Sequence, residues 1–300
     1  MSFSSETKSE LCLLRTGKKE LAVAECYGIL LYGSCFSARE IRLVTSQRDF
    51  AARLPRLFRR AFSLDFDELP ADAPSGKLRF AITKPEKLLQ IFETFGLDVH
   101  ATLSQHVNFG VLEEDAARCA FVRGAFLSGG SATDPEKGFH LELATSHHSV
   151  CRETKSLLQD MGFEPKEAMR GGHALLYFKR ADVIADFLTA IGAMNASMGV
   201  QTAKVEKDMR NMITRRVNCD SANADKVVAA AQEQLDAIRR IVRSHGLDAL
   251  PEPLKDTALL RIANPEASLS DLAQLSSPPV TKSCLNHRLK KILSLAERER

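Results

Sequence analysis

Apolar positions in the first two thirds of the chain fall into two similar series. Each opens on an apolar run at helical spacing with two glycines five apart, Gly28-Ile-Leu-Leu-Tyr-Gly33 and Gly124-Ala-Phe-Leu-Ser-Gly129. A strand signal then ends in Leu43-Val-Thr-Ser46 in the first series and in Leu143-Ala-Thr-Ser146 in the second, an offset of 100. Amphipathic helices follow over 47–62 and 147–163, strand-like stretches over 76–83 and 173–180, and short helices over 84–96 and 180–192. Matched landmarks in one order predict a duplicated unit, with halves at about 18–96 and 113–193.

The glycines sharpen this. Gly28 and Gly124 are placed mid-helix, where glycine costs about 1 kcal/mol relative to alanine. Two helices meeting backbone to backbone would offset that cost, which predicts a pseudo-twofold domain with its hairpins spread as a saddle. Gly33 and Gly129-Gly130 are then expected to end the helices and turn the chain into the strands.

Beyond residue 193 the period-two pattern stops, and 194–246 reads as a helical linker. One helix is expected over 204–218, with apolar positions 205, 209, 212, 213 and 217 and the cations Lys207, Arg210, Arg215 and Arg216 on its other sides. A second is expected to begin at the capping candidates Asp220, Ser221 and Asn223 and to stop at Gly246.

Three shorter helices fill 247–300. The first covers 254–264 and stops before Pro265; the second covers 268–276, with Ser268 as N-cap and Asp271 three residues on; the third starts after Pro278-Pro279 and runs over 280–300. A short helix, a tight turn and a longer basic helix make a helix-turn-helix, here at about 268–300. At 100° per residue, Leu285, Leu289, Ile292 and Ala296 form the buried stripe of the last helix. Ser283, His287, Lys290 and Lys291 point away from it, with Asn286 and Arg288 on the flanks. Residues 278–291 hold Lys282, Arg288, Lys290 and Lys291 and no acid. Ser283, Asn286, His287 and Arg288 suit base edges, the lysines suit phosphates, and Thr281, Lys282 and Ser283 at the helix start offer free backbone N–H groups.

Composition changes the picture little. With 300 residues, 44% apolar and 26% charged, the chain has material for two domains and a connector, and a net charge of +3 neither demands nor forbids nucleic acid. Seven scattered cysteines without a C-x-x-C pair read as reduced, buried small hydrophobes in a cytosolic protein, with Cys284 in the core against the preceding helix. No window is apolar enough for a membrane span, so a cytoplasmic, nucleoid-associated location without membrane contact is expected.

Candidate catalytic chemistry is thin. Residues 124–146 carry Gly129-Gly130-Ser131 with Asp134, Glu136 and His140 close behind, but no G-K-[ST] follows the glycines as a phosphate loop requires. Asp134 and Glu136 fall in "SATDPEKG", which has the composition of a hairpin turn. His140 alternates with Leu141 and Leu143 and reads as the outer face of a sheet. His147-His148 opens a helix and lacks metal ligands at suitable spacing. No catalytic residue, cofactor or metal is expected.

The blocks "VRGAFLSGGSATDPEKGFHLELAT" (122–145), "IGAMNA" (191–196), "EKDMRNMITRRVNCDSANADK" (206–226) and "PPVTKSCLNHRLKKI" (278–292) resemble the WhiA family of bacterial transcriptional regulators. The paired glycine helices resemble the LAGLIDADG homing-endonuclease fold, in which each helix ends in a metal-binding acid. Here Gly33 and Gly129 stand at those positions, so the resemblance implies a scaffold without nuclease activity. It also implies an α+β fold: a degenerate LAGLIDADG-like domain over 1–193, a helical linker over 194–246 and an all-α helix-turn-helix domain over 247–300. The implied role is sequence-specific DNA binding in transcription control, cell division and chromosome segregation. Double-stranded DNA is the expected partner, with another regulatory protein on the N-terminal domain as a second. The alternative is an interaction scaffold whose saddle binds a protein or ligand while DNA contact is secondary.

Overall fold

A computed structural model describes residues 2–70, 76–98 and 105–297. The chain divides into two compact units, Met1–Lys207 and Asp208–Arg300.

The first unit opens with α1 (Phe3–Leu13), a helix the apolar pattern did not predict, capped by the Ser2 hydroxyl accepting from the Ser5 N–H. The first repeat then runs α2 (Lys19–Leu31), β1 (Cys35–Phe36), β2 (Ile41–Thr45), α3 (Arg48–Phe62), β3 (Leu78–Ile82) and α4 (Pro85–Thr94). The second runs α5 (Asp115–Gly129), β4 (Gly130–Ala132), β5 (Leu141–Thr145), α6 (His148–Asp160), β6 (Lys166–Arg170), β7 (His173–Phe178) and α7 (Ala181–Ile191). Both sheets are antiparallel, ordered β1-β2-β3 and β4-β5-β7-β6. The fourth strand β6 has its counterpart in a single bridge from Glu68 to Ala81 in the first sheet. All five residues of β6 are exposed at the sheet edge, so it lacks the apolar alternation by which a strand is read. The equivalence of the copies reaches hydrogen bonds: Thr45 Oγ1 accepts from the Gln47 N–H at 3.0 Å, and Thr145 Oγ1 from the His147 N–H at 3.2 Å.

The two glycine helices, α2 and α5, form the centre of this unit. A Cβ on Gly28 would lie 2.0 Å from the carbonyl oxygen of Phe121, and one on Gly124 would lie 2.0 Å from that of Glu25. The helices therefore touch through their backbones, as expected. As expected, α5 ends at Gly129 and the chain enters β4 at Gly130. The helix runs through Gly129, neither glycine has a positive φ, and both are crowded: a Cβ at 129 would lie 2.4 Å from the Ala144 carbonyl oxygen, and one at 130 would lie 2.6 Å from that of Phe126.

Beside this seam lies a buried ionic cluster. Glu25, on an α2 stretch whose residues Ala22–Leu31 are all buried, takes Arg53 Nε at 2.8 Å and Nη2 at 3.1 Å, and Arg123 Nη1 at 3.2 Å. Arg53 also donates to the carbonyls of Cys12 and Leu14, and Arg123 to that of Ile191. Every charge is met by a partner, as burial demands.

Residues 194–246 differ from expectation. One helix, α8 (Met194–Ser244), replaces the two foreseen, and Asp220, Ser221 and Asn223 lie in its interior. A capping residue ends a helix only when the backbone also leaves helical geometry. No Gly or Pro stands between Gly199 and Gly246, so nothing breaks the run. The Glu10 carboxylate starts the helix by accepting from the N–H groups of Asn195 and Ala196. Gly246, at φ +74°, follows its end.

In the second unit α8 is joined by α9 (Glu252–Ala263), α10 (Leu269–Leu275) and α11 (Lys282–Glu297). Their core combines Ala237, Ile238 and Ile241 of α8 with Leu254 and Ala258 of α9, Leu272 and Ala273 of α10, and the predicted stripe of α11. Residues 298–300 of the helix expected over 280–300 lie outside the described residues. Cys219 and Cys284 are exposed, against the expectation of buried thiols. Cys284 sits about 100° round the helix from Leu285, off the stripe that faces the core.

Candidate nucleic-acid interface

α10 is held at its start by a full capping box. Ser268 Oγ accepts from the Asp271 N–H at 3.3 Å, and the Asp271 carboxylate accepts from the Ser268 N–H at 3.3 Å and its hydroxyl at 2.8 Å. The chain then turns through Ser276-Ser277-Pro278-Pro279, and the Val280 N–H donates to the Ala273 carbonyl at 3.1 Å. Thr281 caps α11: its hydroxyl accepts from the Cys284 N–H at 3.2 Å, and its carbonyl accepts from the Leu285 N–H. A satisfied turn between two capped helices fixes the direction in which α11 projects.

The two faces of α11 separate cleanly. Leu285, Leu289, Ile292 and Ala296 are each at most 2% exposed, whereas Thr281, Lys282, Ser283, His287, Lys290 and Lys291 are exposed. Asn286 and Arg288 are half-buried on opposite flanks. Arg288 borders a cleft shared with Glu252 and Asp256 of α9, so its guanidinium lies in a partly acidic setting that Asn286 lacks. All eight side chains are thus carried on 281–291: Ser283, His287, Lys290 and Lys291 line the solvent side as a cationic and hydroxyl-bearing strip, and Thr281 and Lys282 are exposed at the helix start.

The other sequence candidates do not meet in a site. At the end of the helix seam, Gly129 is enclosed by the Ala144 carbonyl and the Tyr32 ring, whose Cδ1 would lie 2.9 Å from an added Cβ. A carboxylate has no room there unless the backbone moves. Asp134 and Glu136 form the β4–β5 turn, with Asp134 Oδ1 accepting from the Glu136 N–H at 3.1 Å. His140 belongs to a group on the outer face of the second sheet: it lies 3.2 Å from Glu142, which also bonds Arg170 and Ser131. Burial opposes ionisation of Glu142, but the bonds from Arg170, His140 and Ser131 outweigh it and hold its carboxyl below the usual range. His147 precedes α6, and burial lowers its pKa. Among the described residues, no three His, Cys, Asp or Glu side chains are grouped for a metal ion.

The apolar pattern does not single out three buried polar residues of the second unit, Gln234, Thr257 and Arg261. Arg261 lies in "LLRIAN" as a lone charge between apolar residues, which is the signal that marks it out.

Family profiles match both parts of the chain. One described as the WhiA LAGLIDADG-like domain matches residues 118–210, and one described as the WhiA C-terminal HTH domain matches residues 213–296. A relative named probable cell division protein WhiA, from Ruminiclostridium cellulolyticum, is 36% identical over 310 residues, covering 100% of this chain and 98% of its own. Its namesake in Clostridium acetobutylicum is 32% identical over 310 residues, covering 99% and 98%. Among solved structures, full-length WhiA from Thermotoga maritima is similar with TM-score 0.61 and 26% identity over 99% of both chains. The N-terminal LAGLIDADG domain of a WhiA protein matches 64% of this chain and 92% of its own, with TM-score 0.50 and 23% identity, a likeness of fold.

Proposed function

The chain belongs to the WhiA family, and from that premise we propose that it is a sequence-specific DNA-binding regulator of transcription without nuclease activity, serving cell division and chromosome segregation. The observation that carries this reading is the α10–turn–α11 arrangement, in which one fully buried apolar stripe leaves Ser283, His287, Lys290 and Lys291 on the opposite side and Lys282 exposed at the helix start. A helix of this kind fits the major groove: its amino-terminal half presents hydrogen-bonding side chains to base edges, and its lysines take the backbone phosphates. Thr281, Lys282, Ser283, Asn286, His287, Arg288, Lys290 and Lys291 are the proposed DNA contacts. The cell-division role rests on what the relatives are named. The non-enzymatic reading is supported by the crowding at Gly129, where a homing endonuclease would need an acid.

Selection of bound duplexes from a random-sequence library tests the proposal. Enrichment of one defined sequence by the full-length chain is the expected result. Uniform recovery of all sequences would reduce the reading to non-specific binding, and specific cleavage of the enriched site with magnesium would overturn its non-enzymatic part.

A further inference from the structure

A cleft of about 240 Å³ in the second unit is bordered by Lys226 and Gln234 of α8, Arg261 of α9, Ser268 and Ser270 at α10, and Lys282 of α11. Three cations and no acid line it. Two of its polar side chains are deeply buried: Arg261 is 2% exposed and Gln234 6%. Arg261 Nη1 donates to the Ala267 carbonyl at 2.7 Å and, at 3.5 Å, to that of Asn264. Among the described residues, the Nε of the same guanidinium has no acceptor and Gln234 Oε1 has no donor.

An arginine buried without a carboxylate is unusual, because an uncompensated charge away from water is costly. The first unit shows the ordinary solution, in which the Glu25 carboxylate pairs with both Arg53 and Arg123. Among the described residues Arg261 meets only the carbonyl dipoles of Ala267 and Asn264, and burial lowers its pKa. What the cleft lacks is an anion with several acceptor oxygens. A half-turn of the Gln234 amide would present its NH₂ instead of Oε1, adding a neutral donor to Nε and the two ammonium groups. Tetrahedral oxyanions match such converging donors, and arginine with lysine is the usual pairing for phosphate.

We propose that this cleft binds a phosphate group, held by Arg261, Gln234, Lys226 and Lys282. Free phosphate and a DNA backbone phosphate present the same chemistry to these side chains. In the second case the proposal rests on the DNA-binding reading above; in the first it stands without it.

Lys226 is exposed on α8 and is outside the proposed DNA contacts, so K226M leaves both the core and that strip in place. The experiment has two arms on the full-length chain. In the first, inorganic phosphate is titrated into wild type and K226M at constant ionic strength set with chloride, and binding is read by calorimetry and by the rise in unfolding temperature. In the second, affinity for a mixed-sequence DNA duplex is measured against chloride concentration. A free-phosphate site gives saturable binding that K226M weakens about tenfold, with the DNA salt slope unchanged. A backbone-phosphate site gives a salt slope lower by about one in K226M. Q234L, which removes a neutral donor, should weaken the same arm without changing the electrostatics elsewhere. Equal phosphate response and equal salt slope in wild type and K226M would overturn the proposal. Failure of wild type to bind any duplex would instead refute the DNA-binding reading, while the phosphate arm still decides the cleft.

Discussion

At Gly124 the structure leaves no room for even a methyl group. A Cβ there would sit 2.0 Å from the Glu25 carbonyl and 3.0 Å from the Ile29 nitrogen, both backbone atoms of the facing helix. The helices would have to separate along the central seam of the unit, so Gly124→Ala should cost roughly 3 kcal/mol or more in denaturant unfolding. Gly138→Ala, where an added Cβ meets nothing within 4 Å, should stay within about 0.5 kcal/mol. Asp67 is a second point of leverage. Burial works against its charge, but Lys87 and the N–H groups of Thr83 and Lys84 outweigh it and bring its pKa from 3.8 to about 2. The folded state thus favours ionised Asp67, which contributes roughly 2 kcal/mol above about pH 4 that is lost as pH falls toward about 2. Asp67→Asn should therefore be destabilising at neutral pH, with the gap from wild type closing across that window in an acid titration of stability. The glycine seam was legible because duplication exposes it by spacing alone. The Glu25 cluster was not, since its partners are brought from 28 and 98 residues away by the fold.

On the scale of elements, legibility depended on whether one face of an element meets a core. α11 was readable because its buried positions follow the 100° step without exception, and the same arithmetic separates its contacts. Lys290 and Lys291 are point charges suited to phosphate, so replacing either with alanine should weaken binding to all duplexes alike and lower the salt slope by about one. Asn286 suits a base edge, so Asn286→Ala should narrow the difference between preferred and random duplexes while leaving the slope unchanged. A salt-titrated assay with both duplexes checks this, and equal loss of preference in all three variants would remove the division of labour. α8 was misread at its middle because cap residues occur there without a breaker. The β6 strand escaped notice because an exposed edge carries Lys and Arg where a buried strand would alternate.

Across the whole molecule, α8 contributes residues to both compact units. Helical character over 194–246 was visible in the sequence, but the use of its last turns in the second core was not, because that depends on packing against α9 to α11. Ala237, Ile238 and Ile241 are each at most 2% exposed within that core. A fragment beginning at residue 245 would keep all eight proposed DNA contacts and lose these three side chains. It should bind weakly or not at all, and circular dichroism should show it largely unfolded. A fragment over 208–300 retains the complete core and should be folded, with affinity for a mixed-sequence duplex within a few-fold of the full chain, as non-specific binding follows the cationic strip. If 208–300 is folded and inert while 1–207 shifts the duplex, the interface belongs to the first unit and the strip on α11 has another purpose.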